Sequence, residues 1–194
     1  AEVRFEDLIR GWVVVHSANI DDKVLFKSDG MPTYHLANIV DDHLMRITHV
    51  IRGEDHVNST PKYLLLLEAL GMTVPQAFAH MPLLVNEGRK KLSKRRDDVS
   101  MADYRARGYL PEAMVNYLAR LGWSHGDEEL FSSEQLVAWF DGTHLNKSPA
   151  QWDPVKLLWV NAQYIKQADN VRLAGLVADQ LAKQGIALDA SIAE

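Results

Sequence analysis

The chain contains no cysteine. That absence excludes disulfide bonds, thiolate zinc sites and a cysteine nucleophile within the sequence, and it fits a reducing compartment such as the cytoplasm. No apolar run approaches the roughly 18 residues that a membrane-spanning helix needs, so we expect no membrane contact. Neither sign of charge is in large excess, since 21 Lys and Arg stand against 26 Asp and Glu, a formal net charge of −5. This balance argues against a protein coated in nucleic acid but leaves room for local basic contacts.

What remains is an ordinary globular composition. The 194 residues are 47% hydrophobic and 24% charged, which suits one or two domains with buried cores. No internal repeat or low-complexity segment interrupts the chain. Its first residues are polar and irregular and its last ones continue a helical pattern, so we expect a piece of a longer protein.

A basic run at residues 88–96 (GRKKLSKRR) is the most informative segment. It follows the apolar residues 81–85 (MPLLV), which predict a buried strand, and residues 86–88 (NEG) open a loop. Open α/β sheets bind ligands at the carboxyl ends of their strands, and a cationic loop there suits a polyphosphate. On charge alone, a solvated patch or a general nucleic-acid-binding or targeting segment remains the alternative.

The first half of the chain predicts strands alternating with helices. Short β-branched, apolar runs are typical of buried strands, whereas apolar residues spaced three and four apart are typical of a helix. On these patterns we predict strands at residues 12–15, 24–27, 47–51 and 81–85, and a helix at residues 34–44.

The clearest helix follows the strand at residues 47–51. Thr60 is a suitable N-cap, Pro61 suits the first helical position, and Gly71 follows the last apolar residue. Strand, helix and strand in succession predict a βαβ unit with parallel strands. Residues 52–55 (RGED) and the basic run are then expected at the same edge of the sheet.

From residue 100 onward the pattern is helical, so the whole chain predicts an α/β part followed by an all-α part. Four helices are predicted. The first begins at Pro111, and the second follows a capping box formed by Ser132 and Gln135. The third begins at Asp153 with Pro154, and the fourth begins near Asn170 and stops at Gly185. The apolar face of the third is predicted to consist of Val155, Leu158, Trp159, Ala162 and Ile165.

Several blocks, in a fixed order, resemble the glutamyl-tRNA synthetases, which are class I aminoacyl-tRNA synthetases. The blocks are residues 28–34 (SDGMPTY), 40–42 (VDD), 48–56 (THVIRGEDH), 59–61 (STP), 79–82 (AHMP), 91–95 (KLSKR) and 121–124 (LGWS). Residues 91–95 resemble the family's second signature loop, usually Lys-Met-Ser-Lys-Ser. The family's first signature, a His-x-Gly-His loop, does not occur in this sequence.

The resemblance implies a domain organisation. The α/β part is expected to be the C-terminal half of a Rossmann-like catalytic domain with a parallel sheet, and the helical part a stem-contact domain. The expected bounds are residues 1–27 for the end of an inserted acceptor-binding region, 28–99 for the catalytic half-domain, 100–166 for the stem-contact domain, and 167–194 for the start of an anticodon-binding domain.

Three residues of the first half are candidates for binding glutamate. Arg52 follows a predicted strand, where a guanidinium can grip a carboxylate with two hydrogen bonds; an internal ion pair with Glu54 or Asp55 is the alternative. Tyr34 resembles the family's substrate-contacting tyrosine, although it also suits a core aromatic position. Asn38 lies one helical turn beyond Tyr34 and shares its face.

The basic run supplies the remaining candidates. The resemblance implies that Lys94, and secondarily Lys91, stabilise the negative charge on the departing pyrophosphate. Ser93 is expected to donate a hydrogen bond or hold the loop. Asp55 and the main chain of Leu84 match positions that contact ATP in the family.

The histidines do not predict a metal site. His80 precedes a predicted strand and reads as a hydrogen-bonded core residue. His43, His49 and His56 lie near acidic residues, but their spacing fits no recognised ligand pattern. We expect Mg²⁺ to arrive with the phosphates of ATP and no metal to be held by this chain itself.

The activity implied by the resemblance is that of a glutamate–tRNA ligase. Such an enzyme activates L-glutamate with ATP to glutamyl-adenylate and transfers the glutamyl group to the 3′ end of tRNA(Glu). Without the first signature we expect this chain to be a partial enzyme, inactive alone, and the intact enzyme to be a cytoplasmic monomer. The alternatives are a paralogue resembling the glutamyl-queuosine tRNA(Asp) synthetases, and a non-catalytic tRNA-binding fragment.

Overall fold

The computed structural model describes residues 1–93 and 100–186. The chain divides into two compact units, one of residues 1–83 with 146–148 and the other of residues 84–145 with those from 149 onward. Within the described ranges, no helix is long and apolar enough to cross a membrane. The domain bounds given above stay predictions.

The first unit is built on a four-stranded sheet. Its strands are β1 (Glu2–Asp7), β2 (Gly11–His16), β3 (His49–Gly53) and β4 (Ala77–Met81). They lie in the order β2-β1-β4-β3, with β1 antiparallel to β2 and parallel to β4, and β4 parallel to β3. Gly11 begins β2 at a φ of 74°, a left-handed conformation that glycine adopts at little cost, and it closes the β1–β2 hairpin.

The helices of the first unit pack on this sheet. They are a 3₁₀ helix at Ser17–Asn19, α1 (Tyr34–Leu44), a second 3₁₀ helix at Glu54–Ser59, and α2 (Thr60–Ala69). The predicted βαβ unit is confirmed as β3, α2 and β4, with the two strands parallel. Its core consists of Phe5, Ile39, Val50, Tyr63, Leu67 and Phe78.

Two strand predictions in this unit are wrong. Residues 24–27 form no strand and contribute only an isolated bridge between Phe26 and Pro32. The strand predicted at residues 81–85 is two separate elements: β4 ends at Met81, and Leu84–Val85 is a short strand, β5, of the other unit. Pro82 stands between them and has no N–H for a sheet ladder.

The first strand was missed for a different reason. β1 alternates charged and apolar residues, and only Phe5 and Asp7 are buried. Its central position between β2 and β4 is therefore set by pairing rather than by a run of apolar residues.

The second unit is mainly helical. Its elements are β5 (Leu84–Val85), α3 (Met101–Ala106), α4 (Pro111–Arg120), α5 (Ser133–Trp139), β6 (Ala150–Gln151), α6 (Pro154–Gln167) and α7 (Asn170–Lys183). β5 and β6 pair in parallel. The predicted capping box before α5 is confirmed, since the Ser132 hydroxyl accepts from the Gln135 N–H at 3.2 Å and the Gln135 side chain accepts from the Ser132 N–H at 2.8 Å.

The apolar face predicted for α6 is wrong. Leu157 and Val160 are buried in the core of the second unit, whereas Val155 and Leu158 are 77% and 57% exposed. The helix carries apolar residues around most of its circumference, so spacing alone did not select a face. Asn161 marks the true inner face because its Oδ1 accepts the N–H of Leu110 at 2.8 Å.

Truncating Leu157 tests this correction. Leu157→Ala removes a fully buried side chain, and we expect it to lower the free energy of unfolding by about 2–5 kcal/mol. The matched change Leu158→Ala on the same helix is expected to alter stability by less than about 0.5 kcal/mol because that side chain is exposed. Urea unfolding followed by circular dichroism measures both, and equal losses would contradict the assigned face.

Candidate functional site

Arg52 is held at the carboxyl end of β3 by neutral partners. The register of the parallel β3–β4 pair places it directly opposite His80. Its Nε donates to His80 Nε2 at 3.1 Å and its Nη2 donates to Thr60 Oγ1 at 2.8 Å. The guanidinium also lies over the ring of Tyr63, with its carbon 5.6 Å from the ring centroid. The side chain is therefore fixed in direction without direct contact with a carboxylate.

The partner His80 is itself anchored by a buried carboxylate. Asp7 and His80 have no exposed side-chain surface, and Asp7 Oδ2 lies 2.6 Å from His80 Nδ1. The same oxygen accepts the His80 backbone N–H at 3.0 Å. Asp7 Oδ1 accepts the N–H groups of Ile9 and Arg10 at 3.0 and 2.9 Å, so this carboxylate also shapes the turn after β1.

These contacts specify the state of the His80 ring. Asp7 Oδ2 accepts a hydrogen bond from the Nδ1–H of His80, which leaves Nε2 as the acceptor for Arg52. Burial lowers the pKa of His80 below its ordinary value, the Asp7 hydrogen bond opposes that effect, and the nearby Arg52 charge adds to it. The neutral imidazole, protonated on Nδ1, is the form that fits this site.

Thr60 completes the setting of Arg52 but does not act as predicted. The helix α2 begins at Thr60, so Pro61 is its second residue and not, as predicted, its first, and Ser59 holds the N-cap position. The Thr60 hydroxyl donates to the His56 carbonyl at 2.9 Å while it accepts from Arg52. The prediction of Thr60 as an N-cap is therefore wrong, because its hydroxyl is committed to the 3₁₀ turn before the helix.

The alternative of an ion pair between Arg52 and Glu54 does not hold. Glu54 forms its ion pair with Arg10 instead, and its Oε1 accepts the N–H of Leu83 at 3.2 Å. Glu54 thus joins the turn after β1 to the segment after β4. Asp55 lies exposed in the 3₁₀ helix that follows β3.

Tyr34 and Asn38 lie one turn apart on α1, as expected. Tyr34 is 54% exposed, so it is not a core aromatic, and its ring lies 5.8 Å from the ring of His56. The Asn38 Oδ1 is buried and has no hydrogen-bond partner among the residues that the structure describes. Buried amide oxygens are normally paired, so this unpartnered oxygen is an exception among the described residues.

The phenol of Tyr63, whose ring lies under the Arg52 guanidinium, is itself hydrogen-bonded to a carboxylate. The Tyr63 hydroxyl donates to Asp42 Oδ2 at 3.0 Å. Burial, and then this hydrogen bond, raise the pKa of Tyr63 well above its ordinary value. Tyr63 therefore presents a neutral ring to the Arg52 guanidinium across the working pH range.

The candidates of the second unit lie on a short hairpin. The Leu84 carbonyl accepts the N–H of Leu92 at 2.9 Å, and Lys91 bridges to Val85. The turn between them is closed by an N–H of Asn86 that donates to the Lys90 carbonyl at 2.9 Å. Lys91 is exposed and Ser93 is half-buried. Lys94 lies outside the described residues, so its assigned role stays a prediction.

The expectation that residues 52–55 and the basic run share one sheet edge rested on the wrong strand. The residues that precede the run belong to β5, which pairs with β6 and not with β3 or β4. Of the predicted site residues, the structure brings Arg52, Tyr34 and Asn38 into one unit and Leu84, Lys91 and Ser93 into the other.

Metal ligation finds no support in the described part of the chain. Residues 1–93 and 100–186 contain no group of three or more His, Asp or Glu side chains that could hold a metal ion. His49 Nδ1 instead contacts the Thr48 hydroxyl at 2.9 Å, and the His56 ring packs beside Tyr34.

Sequence reasoning missed the contribution of Asp7 and gave His80 no function. His80 is the core histidine that the sequence predicted, yet its outer nitrogen contacts the candidate ligand-binding arginine. The signal that could have linked His80 to Arg52 is that the two residues lie opposite each other in the paired strands β3 and β4. It was hidden because β4 was predicted four residues too late.

Comparison with known proteins identifies relatives of this chain. The family described as class I tRNA synthetases (E and Q), catalytic domain, matches residues 1–159. A glutamate–tRNA ligase from Nitrosospira multiformis is 56% identical over 184 residues, covering 95% of this chain and 39% of that protein. One from Herminiimonas arsenicoxydans is 53% identical over 188 residues, covering 97% and 40%.

Solved structures give the same picture. A glutamate–tRNA synthetase from Elizabethkingia anophelis matches with a TM-score of 0.87 at 39% identity, covering 100% of this chain and 43% of that one. A glutamate tRNA ligase from Elizabethkingia meningosepticum, in complex with its amino acid, matches with a TM-score of 0.86 at 39% identity, covering 100% and 42%. The predicted fold class is confirmed, and the chain spans about two fifths of the length of its curated relatives.

The state of His80 predicts a dependence of stability on pH. Because the pKa of His80 is lowered in the folded state, the unfolded chain binds more protons once the pH falls below about 6.5, the ordinary histidine value. Stability is then lost as the pH decreases from there towards the folded-state pKa, at no more than about 1.4 kcal/mol per pH unit for one proton.

Urea unfolding between pH 7.5 and pH 5 measures this effect. In His80→Gln the group that titrates is gone, so the loss of unfolding free energy over that range should be smaller than in the unsubstituted chain. The same slope in both proteins would show that folding does not lower the pKa of His80.

Proposed function

Since the chain belongs to the class I tRNA synthetases of the glutamate and glutamine family, we propose that it supplies part of the active site of a glutamate–tRNA ligase. The reaction is the activation of L-glutamate by ATP to glutamyl-adenylate, with release of pyrophosphate, followed by transfer to the 3′ end of tRNA(Glu). The high identity to proteins named as glutamate–tRNA ligases supports this choice within the family.

The observation that carries the proposal is the setting of Arg52. Its hydrogen-bond and ring partners are all neutral, and no ion pair engages it within residues 1–93 and 100–186. A half-buried guanidinium without a carboxylate partner is costly unless an anion binds to it. The γ-carboxylate of glutamate suits this cation, whereas the neutral amide of glutamine would leave the charge unpaired.

The first turns of α1 provide the remaining amino-acid contacts. The exposed phenol of Tyr34 and the unpartnered Oδ1 of Asn38 lie on one face of that helix. In the proposed site, Tyr34 orients the amino acid and Asn38 is a secondary contact through its side-chain amide.

The second unit is proposed to handle ATP. Lys94 and Lys91 stabilise the charge on the departing pyrophosphate, Ser93 supports their loop, and the main chain of Leu84 lies near the adenine. Asp55 of the first unit is a further proposed ATP contact. Mg²⁺ would enter bound to the ATP phosphates.

We also propose the partners, oligomeric state and location of the intact ligase on the basis of the family. The partners are tRNA(Glu), L-glutamate and ATP, the intact ligase acts as a monomer, and its location is the cytoplasm. Because this chain spans about two fifths of the length of its curated relatives, the complete reaction is proposed for a full-length ligase that carries these residues.

Replacing Arg52 tests the assignment of the glutamate site. In a full-length ligase that carries this chain, Arg52→Gln removes the fixed cation. We expect kcat/KM for glutamate to fall roughly 30- to 1000-fold, which corresponds to a loss of about 2–4 kcal/mol of transition-state stabilisation. The preference for glutamate over glutamine should shrink with it. Steady-state ATP–pyrophosphate exchange with each amino acid, in the presence of tRNA, measures both quantities.

The matched control is Arg4→Gln, which removes an exposed arginine from β1 of the same unit. It should leave the KM for glutamate and the preference over glutamine unchanged. An unaltered preference in Arg52→Gln would remove Arg52 from the specificity site.

Replacing Lys94 tests the role of the basic run. Lys94→Ala is expected to slow adenylate formation by about 10²–10³-fold while changing glutamate affinity little, because the charge it stabilises develops on the pyrophosphate. Single-turnover adenylate formation and equilibrium binding of glutamate measure the two effects. Lys90→Ala, an exposed lysine four positions earlier, serves as the control, and equal losses in the two variants would show only a general effect of charge.

A further inference from the structure

The buried pair of Asp7 and His80 lies behind the proposed glutamate site. Both side chains are inaccessible, so neither can touch a substrate. Yet one hydrogen bond connects the pair to Arg52, through His80 Nε2. A buried carboxylate and imidazole are costly to place in a core, and the hairpin turn alone needs only the carboxylate.

The contacts of Arg52 fall on one edge of its guanidinium. Nε and Nη2 present two parallel N–H groups, and these point to His80 Nε2 and Thr60 Oγ1. Those two atoms are also within hydrogen-bond distance of each other, at 3.0 Å, so they are close enough together to receive two parallel donors. The second edge, formed by Nη1 and the other N–H of Nη2, makes no hydrogen bond within residues 1–93 and 100–186. That edge is free to receive a carboxylate with two hydrogen bonds.

We propose that Asp7 and His80 are positioning residues: Asp7 fixes the His80 tautomer whose Nε2 accepts from Arg52, and this aims the open edge of the guanidinium at the substrate carboxylate. The inference rests on the proposed function, because it takes the carboxylate of glutamate as the ligand of Arg52. On this proposal, Asp7 and His80 contribute to the specificity for glutamate although neither side chain contacts the substrate.

The alternative tautomer shows why the carboxylate is needed. With the proton on Nε2, two donors would face each other between His80 and Arg52, and the guanidinium would turn away. Asp7 prevents this because both its oxygens already accept backbone N–H groups and remain acceptors towards Nδ1. The Thr60 hydroxyl is likewise oriented as an acceptor towards Arg52, because its own proton is donated to the His56 carbonyl.

Two substitutions of His80 separate the two nitrogens. Asn places an amide near the Nδ1 position, so His80→Asn keeps a donor towards Asp7 but loses the acceptor for Arg52. Gln places an amide near the Nε2 position, so His80→Gln keeps an acceptor for Arg52 but loses the donor towards Asp7. Asp7 retains its backbone N–H donors in both variants.

The experiment uses a full-length ligase that carries this chain. In His80→Asn we expect the KM for glutamate to rise about 10- to 100-fold, as for a lost hydrogen bond to a charged group, while the KM for ATP changes by less than about twofold. In His80→Gln the KM for glutamate should return to within about threefold of that of the unsubstituted protein. His49→Asn, the same change at an exposed position of β3, should alter neither constant.

The outcomes distinguish this inference from the proposed function. An unchanged KM for glutamate in Arg52→Gln overturns both. A raised KM in Arg52→Gln with an unchanged KM in His80→Asn overturns the positioning role alone. Equal losses in His80→Asn and His80→Gln, or a parallel rise in the KM for ATP, also overturn it, because a merely structural role would produce them.

A second measurement observes the tautomer directly in the unsubstituted protein. In the unsubstituted protein, ¹⁵N chemical shifts of the His80 ring should report a protonated Nδ1 and an unprotonated Nε2 at neutral pH, with the signal identified by its loss in His80→Gln. Shifts of the opposite tautomer, or of an imidazolium, would overturn the proposal.

Discussion

The parallel pairing of β3 with β4 is the constraint on which the site depends. It sets Arg52 opposite His80, and β1 on the other side of β4 brings Asp7 to the same histidine. Three strands that are distant in sequence thus contribute one residue each to a single line of hydrogen bonds. A shift of one residue in the register would send the side chains to opposite faces of the sheet. The first unit therefore cannot keep this site without keeping the register of its central strands.

The neutral partners of Arg52 are consistent with the proposed binding of a carboxylate. A carboxylate from the protein would stabilise the guanidinium but would also compete with an anionic ligand. Instead, the imidazole and the hydroxyl accept its N–H groups while leaving its charge unbalanced. Nearby Glu54, which could have neutralised it, is paired with Arg10. A partly buried, unpaired cation lowers the stability of the fold, and a bound carboxylate would offset that loss.

The sequence predicted those parts of the fold that local chemistry decides. Pro61 and Pro111 lie in the first turns of their helices, and the capping box of Ser132 is present, because these signals act within a few residues. Non-local choices were less accessible. α6 turned a different apolar face inward, since packing against α4 selects among faces that spacing leaves equal. β1, with its charged residues, needed β4 as a neighbour before it could be recognised as a strand.

The block at residues 52–55 shows why a motif can be recognised in the sequence while the roles of its individual residues cannot be predicted from it. Arg52 faces the candidate ligand site, Glu54 secures the turn after β1 and the segment after β4, and Asp55 lies exposed. The change from β3 to a 3₁₀ helix at Glu54 directs these adjacent side chains towards different surroundings. From sequence alone, Glu54 was as good a partner for Arg52 as any residue, because adjacency suggests an ion pair. The structure removes that pairing by giving Glu54 a different arginine, and so one four-residue block supports both the fold of this unit and an open cation at its edge.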